Sequence, residues 1–335
     1  MGEVTILSSM NTQDILFACV AALSVAPPAS AQFKQLPMEP LHEKGQSVTG
    51  SYEGWWQNAD GTYNLMFGYL NRNTKEALDI PVGPGNHFDP GPADRGQPTH
   101  FVTRRQWGVF TVTVPKDFGE ANKLTWTIVA NGQTLSVPGH LGASWNITPM
   151  HEIGIGNSPP TISFDEKGAY IQGPKPLVAE RSAKAGEPLS LTVYAADEDK
   201  AALRAARGGR GGGRGGRGAA AADAPSNTTP DPAPTADADP DATPTSGARA
   251  VVTLTWQKFR GPGEVKFSRA QVRADAVPGS EVPVKQVFNG KGTITATFSE
   301  PGDYILRVIA TNSSGAGGSG FLCCWTNGEV KVTVH

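Results

Sequence analysis

The sequence predicts an all-β chain folded into two β-sandwich domains, and three observations carry that prediction. Forty glycines and 27 prolines make up a fifth of the 335 residues, against roughly an eighth in average proteins, an excess that favours turns over helices. Val/Thr-rich runs with a period of two recur along the chain, and no long apolar pattern of period 3.6 follows residue 32. The length leaves room for two domains of ordinary size once a leader and linkers are set aside.

The N-terminus has the look of a secretory signal over residues 1–31. Ile15–Ala26 is a short apolar core, Pro27-Pro28 breaks it, and Ala29-Ser30-Ala31 forms a small-x-small cleavage pattern before Gln32. The positive n-region is missing, since no Lys or Arg precedes Lys34. No apolar run is long enough to span a bilayer as a helix. A formal net charge of −2 and a pI near 6.3 give no global basic field for nucleic acid or an anionic membrane. The expectation is export to the periplasm or the cell exterior.

After a polar lead-in (32–46), the first domain runs over 47–150 and holds Trp55, Trp56, Trp107, Trp126 and Trp145. Thr62–Asn71 is its clearest early strand, with Tyr63, Leu65, Phe67 and Tyr69 on one face. The turn Asn58-Ala59-Asp60-Gly61 joins it to Gly54–Gln57. Gly108–Pro115 and Lys123–Ala130 are further strands, and Asn131-Gly132 is a strong hairpin signal into Gln133–Val137. A sandwich or open barrel results. Between these strands Asp79–Arg105 is too broken by Pro and Gly to be regular. It carries His87, Asp89, Asp94, Arg95, His100, Arg104 and Arg105, the densest polar chemistry in the chain.

Asn157-Ser158-Pro159-Pro160 reads as a linker into a second domain over 157–335. Its expected strands are Thr161–Phe164, Leu189–Ala195, Val251–Lys258, Glu264–Phe267, Val284–Phe288, Gly292–Phe298, a run within Glu300–Asn312, and Glu329–Val334. Pro301-Gly302 turns the chain into the most apolar of these. There Tyr304, Leu306, Val308 and Ala310 alternate with Ile305, Arg307, Ile309 and Thr311. Only Arg307 and Thr311 break its apolar character, so this strand is expected to be covered on both sides for part of its length.

This half resembles the PKD and related Ig-like domains of bacterial exported proteins. The residues carrying the resemblance are Asn157-Ser158-Pro159-Pro160, Lys184-Ala185-Gly186-Glu187 ahead of Leu189-Ser190-Leu191, Ala195-Ala196-Asp197-Glu198-Asp199, and above all Ala296–Tyr304. The resemblance implies an immunoglobulin-like sandwich. It places Tyr304 at the tyrosine corner and Trp256 at the strand-C tryptophan, with Leu191 or Val193 and Leu306 where antibody domains have their disulfide. The chain departs from the family where a W-D-F-G-D-G-type run is expected: Trp256 is followed by Gln257-Lys258-Phe259-Arg260. The resemblance specifies a fold, and a fold does not give function. Residues 200–249 interrupt the domain with an Arg/Gly tract followed by an Ala/Pro/Asp-rich tract. Such a composition supplies no core and is expected to be disordered. Arg-Gly-Gly repeats can bind RNA, but no stacking aromatics sit among these glycines, so a flexible exported loop is the reading preferred and no nucleic-acid partner is expected.

Four groups of residues are candidates for function. His87, Asp89, Asp94 and His100, with Arg104 and Arg105, form a binding face or a metal or acid–base site, although no motif such as H-E-x-x-H is present; the plainer alternative is a loop folded down by Pro, Gly and internal hydrogen bonds, with Arg104 and Arg105 pairing its aspartates. Trp55-Trp56, with Tyr52 and Tyr63, either offers one ring to the core and one to solvent, the outer one suited to a glycan or protein partner, or packs both rings in the core through a bulge. Asp197 and Asp199 with Glu198 are carboxylates at a loop where calcium, the one cofactor suggested, could collect; a solvated cluster is the plainer alternative. Cys323-Cys324 is either structural, as buried thiols or a vicinal bridge, or serves partner linkage, metal binding or redox chemistry. No nucleophile–base–orienter set assembles from the sequence. The reading is an exported, non-enzymatic binding or assembly module acting through protein–protein contacts in the cell envelope. A carbohydrate-binding accessory protein is the first alternative and a metal-dependent enzyme using the 79–105 loop the second.

Overall fold

The computed structural model describes residues 42–151, 157–197, 252–276, 288–312 and 323–335. The signal segment, the 200–249 insertion and most of the expected strand Val284–Phe288 lie outside them. Apart from one 3-10 turn at Ala143–Trp145, all the regular structure described is β. No helix among the described residues is long and apolar enough to cross a membrane.

The N-terminal lobe contains β1 (Val48–Gln57), β2 (Tyr63–Asn71), β3 (Leu78–Asp79), β4 (Asn86–Asp89), β5 (His100–Phe101), β6 (Arg104–Val114), β7 (Leu124–Ala130) and β8 (Gln133–Gly139). Two antiparallel sheets, β1-β2-β6 and β4-β7-β8, enclose an aromatic core. Phe67 and Phe110 from one sheet meet Trp126 and Phe88 from the other, with Trp126 fully buried. The Asn131-Gly132 hairpin forms as expected: φ is +48° and +75°, and the turn pairs Ala130 with Gln133. The stretch 79–105 is more regular than its Pro and Gly content suggested. β4 pairs with β7, and β5 pairs with β3. Asn86 supplies the missing order, its amide donating to the carbonyls of Ile80 and Pro98 while its Oδ1 accepts from the Trp126 indole.

The C-terminal lobe contains β9 (Thr161–Ser163), β10 (Ile171–Gln172), β11 (Leu177–Ala183), β12 (Leu189–Asp197), β13 (Thr253–Arg260), β14 (Val265–Phe267), β15 (Gln271–Arg273), β16 (Asp275–Ala276), β17 (Phe288–Phe298), β18 (Gly302–Thr311) and β19 (Trp325–Val334). One sheet runs β10-β9-β12-β17-β14, with β16 also on β17; the other runs β11-β19-β18-β13-β15. The parallel pairing of β11 with β19 was not legible, because β11 alternates weakly apolar residues with Glu180 and Ser182. Between the sheets, Trp256, Leu191, Val193, Phe298, Tyr304, Leu306 and Val308 are buried together. The Tyr304 hydroxyl donates to the Glu300 carbonyl at 2.9 Å and accepts from the Gly263 N–H at 3.1 Å. Residues 157–160 are packed rather than free. Asn157 is buried against Asn312, and the Pro160 carbonyl accepts from the Thr326 hydroxyl.

Strand β18 is covered on both faces, as its sequence predicted. Tyr304, Leu306, Val308 and Ala310 face the sandwich core. On the other face Ile305 packs into the aromatic core of the first lobe, as does Phe259 from β13. The lobes therefore share a core.

Replacing Tyr304 with Phe leaves the buried Gly263 N–H without its acceptor. It is expected to cost about 1–3 kcal/mol in urea unfolding; a loss below about 0.5 kcal/mol would mean that the hydroxyl contributes little.

Candidate functional site

Of the residues expected to form a binding face, Asp94, His100 and Arg105 lie at the seam between the lobes. Asp94 takes a two-pronged contact from Arg260 at 2.8 and 2.9 Å, and Arg260 Nε also donates to the Gln97 carbonyl. Asp79 meets both Lys258 Nζ at 3.1 Å and His100 Nδ1 at 2.9 Å. The Thr99 N–H donates to the Phe259 carbonyl. The Arg260 contact holds the Asp94 carboxyl below the ordinary aspartate range, and against burial the His100 hydrogen bond and then Lys258 do the same for Asp79. Lys258 and Arg260 lie within the run Gln257–Arg260, where the sequence departs from the PKD resemblance.

Deeper in the seam lies a buried polar cluster. A bulge after Tyr52 aims Glu53 across β2, where Gly68 leaves it room. Its two carboxylate oxygens accept from Arg105 Nη2 at 2.7 Å and from the Gly108 N–H at 2.6 Å. The Gly108 carbonyl in turn accepts from Arg307 Nη2 and Asn327 Nδ2 of the second lobe, each at 2.9 Å. Asn327 Oδ1 holds the same guanidinium at 2.8 Å, and Arg105 stacks on the Trp107 ring at 3.8 Å. Position 108 tolerates no side chain: its φ is +49°, and a Cβ would stand 1.9 Å from the Trp325 ring. Burial pushes the Glu53 carboxyl up to about 7, against the opposing pull of Arg105, the Gly108 N–H and Arg307. Burial likewise draws Arg307 down to about 10 and raises Glu329, its cross-strand neighbour. Arg307 stood out in the sequence as a lone charge in an apolar strand. Glu53, Gly108 and Asn327 carried no comparable signal.

The remaining expected site residues are dispersed. His87 lies on β4 opposite Thr127, its Nδ1 buried without a hydrogen-bond partner among the described residues. Asp89 is exposed beside Pro90, and Arg104 opens β6 with φ +67°. Of His87, Asp89, Asp94 and His100, expected together in a metal or acid–base site, Asp94 is paired with Arg260 and His100 with Asp79, while His87 and Asp89 have no side-chain partner among the described residues. No group of three metal-ligating side chains occurs among the described residues. Asp197, expected in a solvated or calcium-binding cluster, is 2% exposed and accepts from Asn312; Asp199 is outside the described residues. Cys323 and Cys324 are joined in a vicinal disulfide, both buried, immediately before Trp325.

The tryptophan pair also resolves differently. Trp55 is the inward member, its indole N–H bonded to the Gly142 carbonyl and its ring edge-on to Tyr63. Trp56 is only half-buried. The exposed indole belongs to Trp145, at 42%, on a shelf with Tyr52 and His140 at ring separations of 5.2 and 5.9 Å. Elsewhere, an open groove of about 900 Å³ runs over the outer face of the second lobe, lined by Glu180, Ser182, Arg260, Asp303, Lys331 and Thr333 among others.

No family model matches this chain, and no curated protein matches it. Among solved structures, it is similar to a protein of unknown function from Porphyromonas gingivalis W83, at 9% identity. The match covers 86% of this chain and all of the other, with a TM-score of 0.20.

Two outcomes follow from the seam. Gly108→Ala is expected to lose about 2–4 kcal/mol of stability, from left-handed backbone and overpacking against Trp325; unchanged chemical denaturation would contradict the packing described. A carboxyl whose pKa is raised on folding binds its proton more tightly in the native state. Its contribution is complete below the unfolded value near 4.5 and is lost as pH rises through about 7. Unfolding free energy should therefore fall between about pH 4.5 and 7, by up to about 3 kcal/mol. Glu53→Gln should flatten that slope; an equal slope in the variant would place the titration elsewhere.

Proposed function

We propose that this protein is an exported, non-enzymatic binding or assembly module of the cell envelope that acts through protein–protein contacts, with an Ig/PKD-like second lobe. The observation carrying this reading is the fate of the densest polar chemistry in the chain. Asp79, Asp94, His100 and Arg105 are committed to one another and to Lys258, Arg260 and Glu53. Charges spent in this way build a stiff two-lobe frame and are not poised over a substrate. The sheet orders β10-β9-β12-β17-β14 and β11-β19-β18-β13-β15, together with the Tyr304 bond to Glu300, support the Ig/PKD-like assignment. The signal-like N-terminus and the vicinal disulfide support an oxidising, extracytoplasmic location.

A second reading, a carbohydrate-binding accessory protein, is favoured by the exposed ring of Trp145. It predicts binding through aromatic stacking in place of a large protein interface.

Chemical cross-linking of the tagged protein in its native envelope, followed by purification and mass spectrometry, separates these readings. A stoichiometric protein partner is expected. Recovery of the protein alone would reject the assembly reading and leave the glycan binder.

A further inference from the structure

We infer that the shelf formed by Trp145, Tyr52 and His140 binds a single pyranose ring of a neutral glycan. This rests on the carbohydrate reading above and names its site. Trp126 and Trp325 are at most 1% exposed, whereas Trp145 presents its indole to solvent from a rigid mount. Its own N–H donates to Gly142 within the 3-10 turn, Asn146 N donates to the Ala143 carbonyl, and Ile147 N ties the following residue to the Trp55 carbonyl at 2.9 Å. Behind it, Tyr52 is fixed by its hydroxyl bond to the His140 carbonyl. A ring held in this way loses little conformational freedom when something stacks on it.

The polar groups at its rim narrow the ligand class. His140 Nδ1 accepts from the Gly142 N–H at 3.0 Å, which leaves the imidazole proton on Nε2. Nε2 is neither bonded within the described residues nor among the buried unpartnered atoms, so it is open to solvent. The Trp145 indole N–H likewise makes no bond within the described residues. A flat aromatic face flanked by N–H donors suits a pyranose, whose C–H face stacks while its hydroxyl oxygens accept. Tyr52, Trp55, His140, Ser144 and Asn146 bring no carboxylate or cationic chain to the shelf, so a neutral sugar fits better than an acidic one. A protein anchor would sit within an apolar surround; here the exposed chain neighbours Ser144 and Asn146 are polar. Trp55 and Tyr63 are turned inward, so the shelf holds one sugar and not a row. Affinity for one stacked ring is expected on the order of 1 mM.

The test titrates the full mature chain with cello-, xylo-, manno- and chito-hexaose, reading the seven indole N–H resonances by NMR. One indole resonance should shift with one of these sugars. Trp145→Ala should abolish that shift, and His140→Ala should weaken binding at least about threefold. Trp145→Phe, which keeps a ring on an exposed site, should retain partial binding with an unchanged fold. No shift at about 10 mM of every sugar overturns the shelf, and with a protein cross-link in hand overturns the glycan reading as well. A shift that survives Trp145→Ala overturns the shelf alone.

Discussion

The structure depends on a polar joint at Gly108, buried deep in the seam where the two sandwiches meet. Its N–H engages Glu53 of the same lobe, and its carbonyl engages Arg307 and Asn327 of the other. A guanidinium buried to 1% exposure is unfavourable unless its donors are met. That requirement fixes how the first lobe meets β18. Nη1 of Arg307 has no hydrogen-bond partner among the described residues. The balance therefore relies on Glu53 and Glu329 nearby, both carboxyls raised by the same burial.

Around this polar centre the apolar contacts cross between lobes. Phe259 and Ile305 belong by sequence to the second sandwich but pack into the core of the first. Lys258 and Arg260 flank Phe259 and capture Asp79 and Asp94 from the long segment between β2 and β6. Such partly exposed ion pairs contribute little stability singly. Their effect is orientation, holding the segment so that Thr99 and Gln97 reach the second lobe. Trp325, directly after the vicinal disulfide, closes the same seam from β19 onto Gly108.

A stiff frame of this kind leaves function to its outer surfaces. The groove beside Lys331 and Asp303 mixes both signs of charge with the apolar side chains Ile305 and Val332. The Trp145 shelf is the one place among the described residues where an exposed indole is backed by other aromatic rings. On the readings proposed above, recognition would fall to the first lobe and scaffolding to the second.

The all-β class, most strand positions and the Asn131-Gly132 hairpin were legible in the sequence, because period-two alternation and turn chemistry are local properties. The two-sided covering of β18 was legible as well, since a strand apolar on both faces needs cover on both. The lone charge of Arg307 and the unusual run Gln257–Arg260 marked the seam without saying what it met. What covered Arg307 was decided only in the tertiary structure, because Glu53, Gly108 and Asn327 come together from positions up to 274 residues apart in the chain. The same holds for Asp79, Asp94, His100 and Arg105, whose side chains look available in sequence and are paired in space. Composition tells which groups a chain carries. Whether a carboxylate faces water or a guanidinium depends on packing between elements distant in sequence, and no local pattern encodes that.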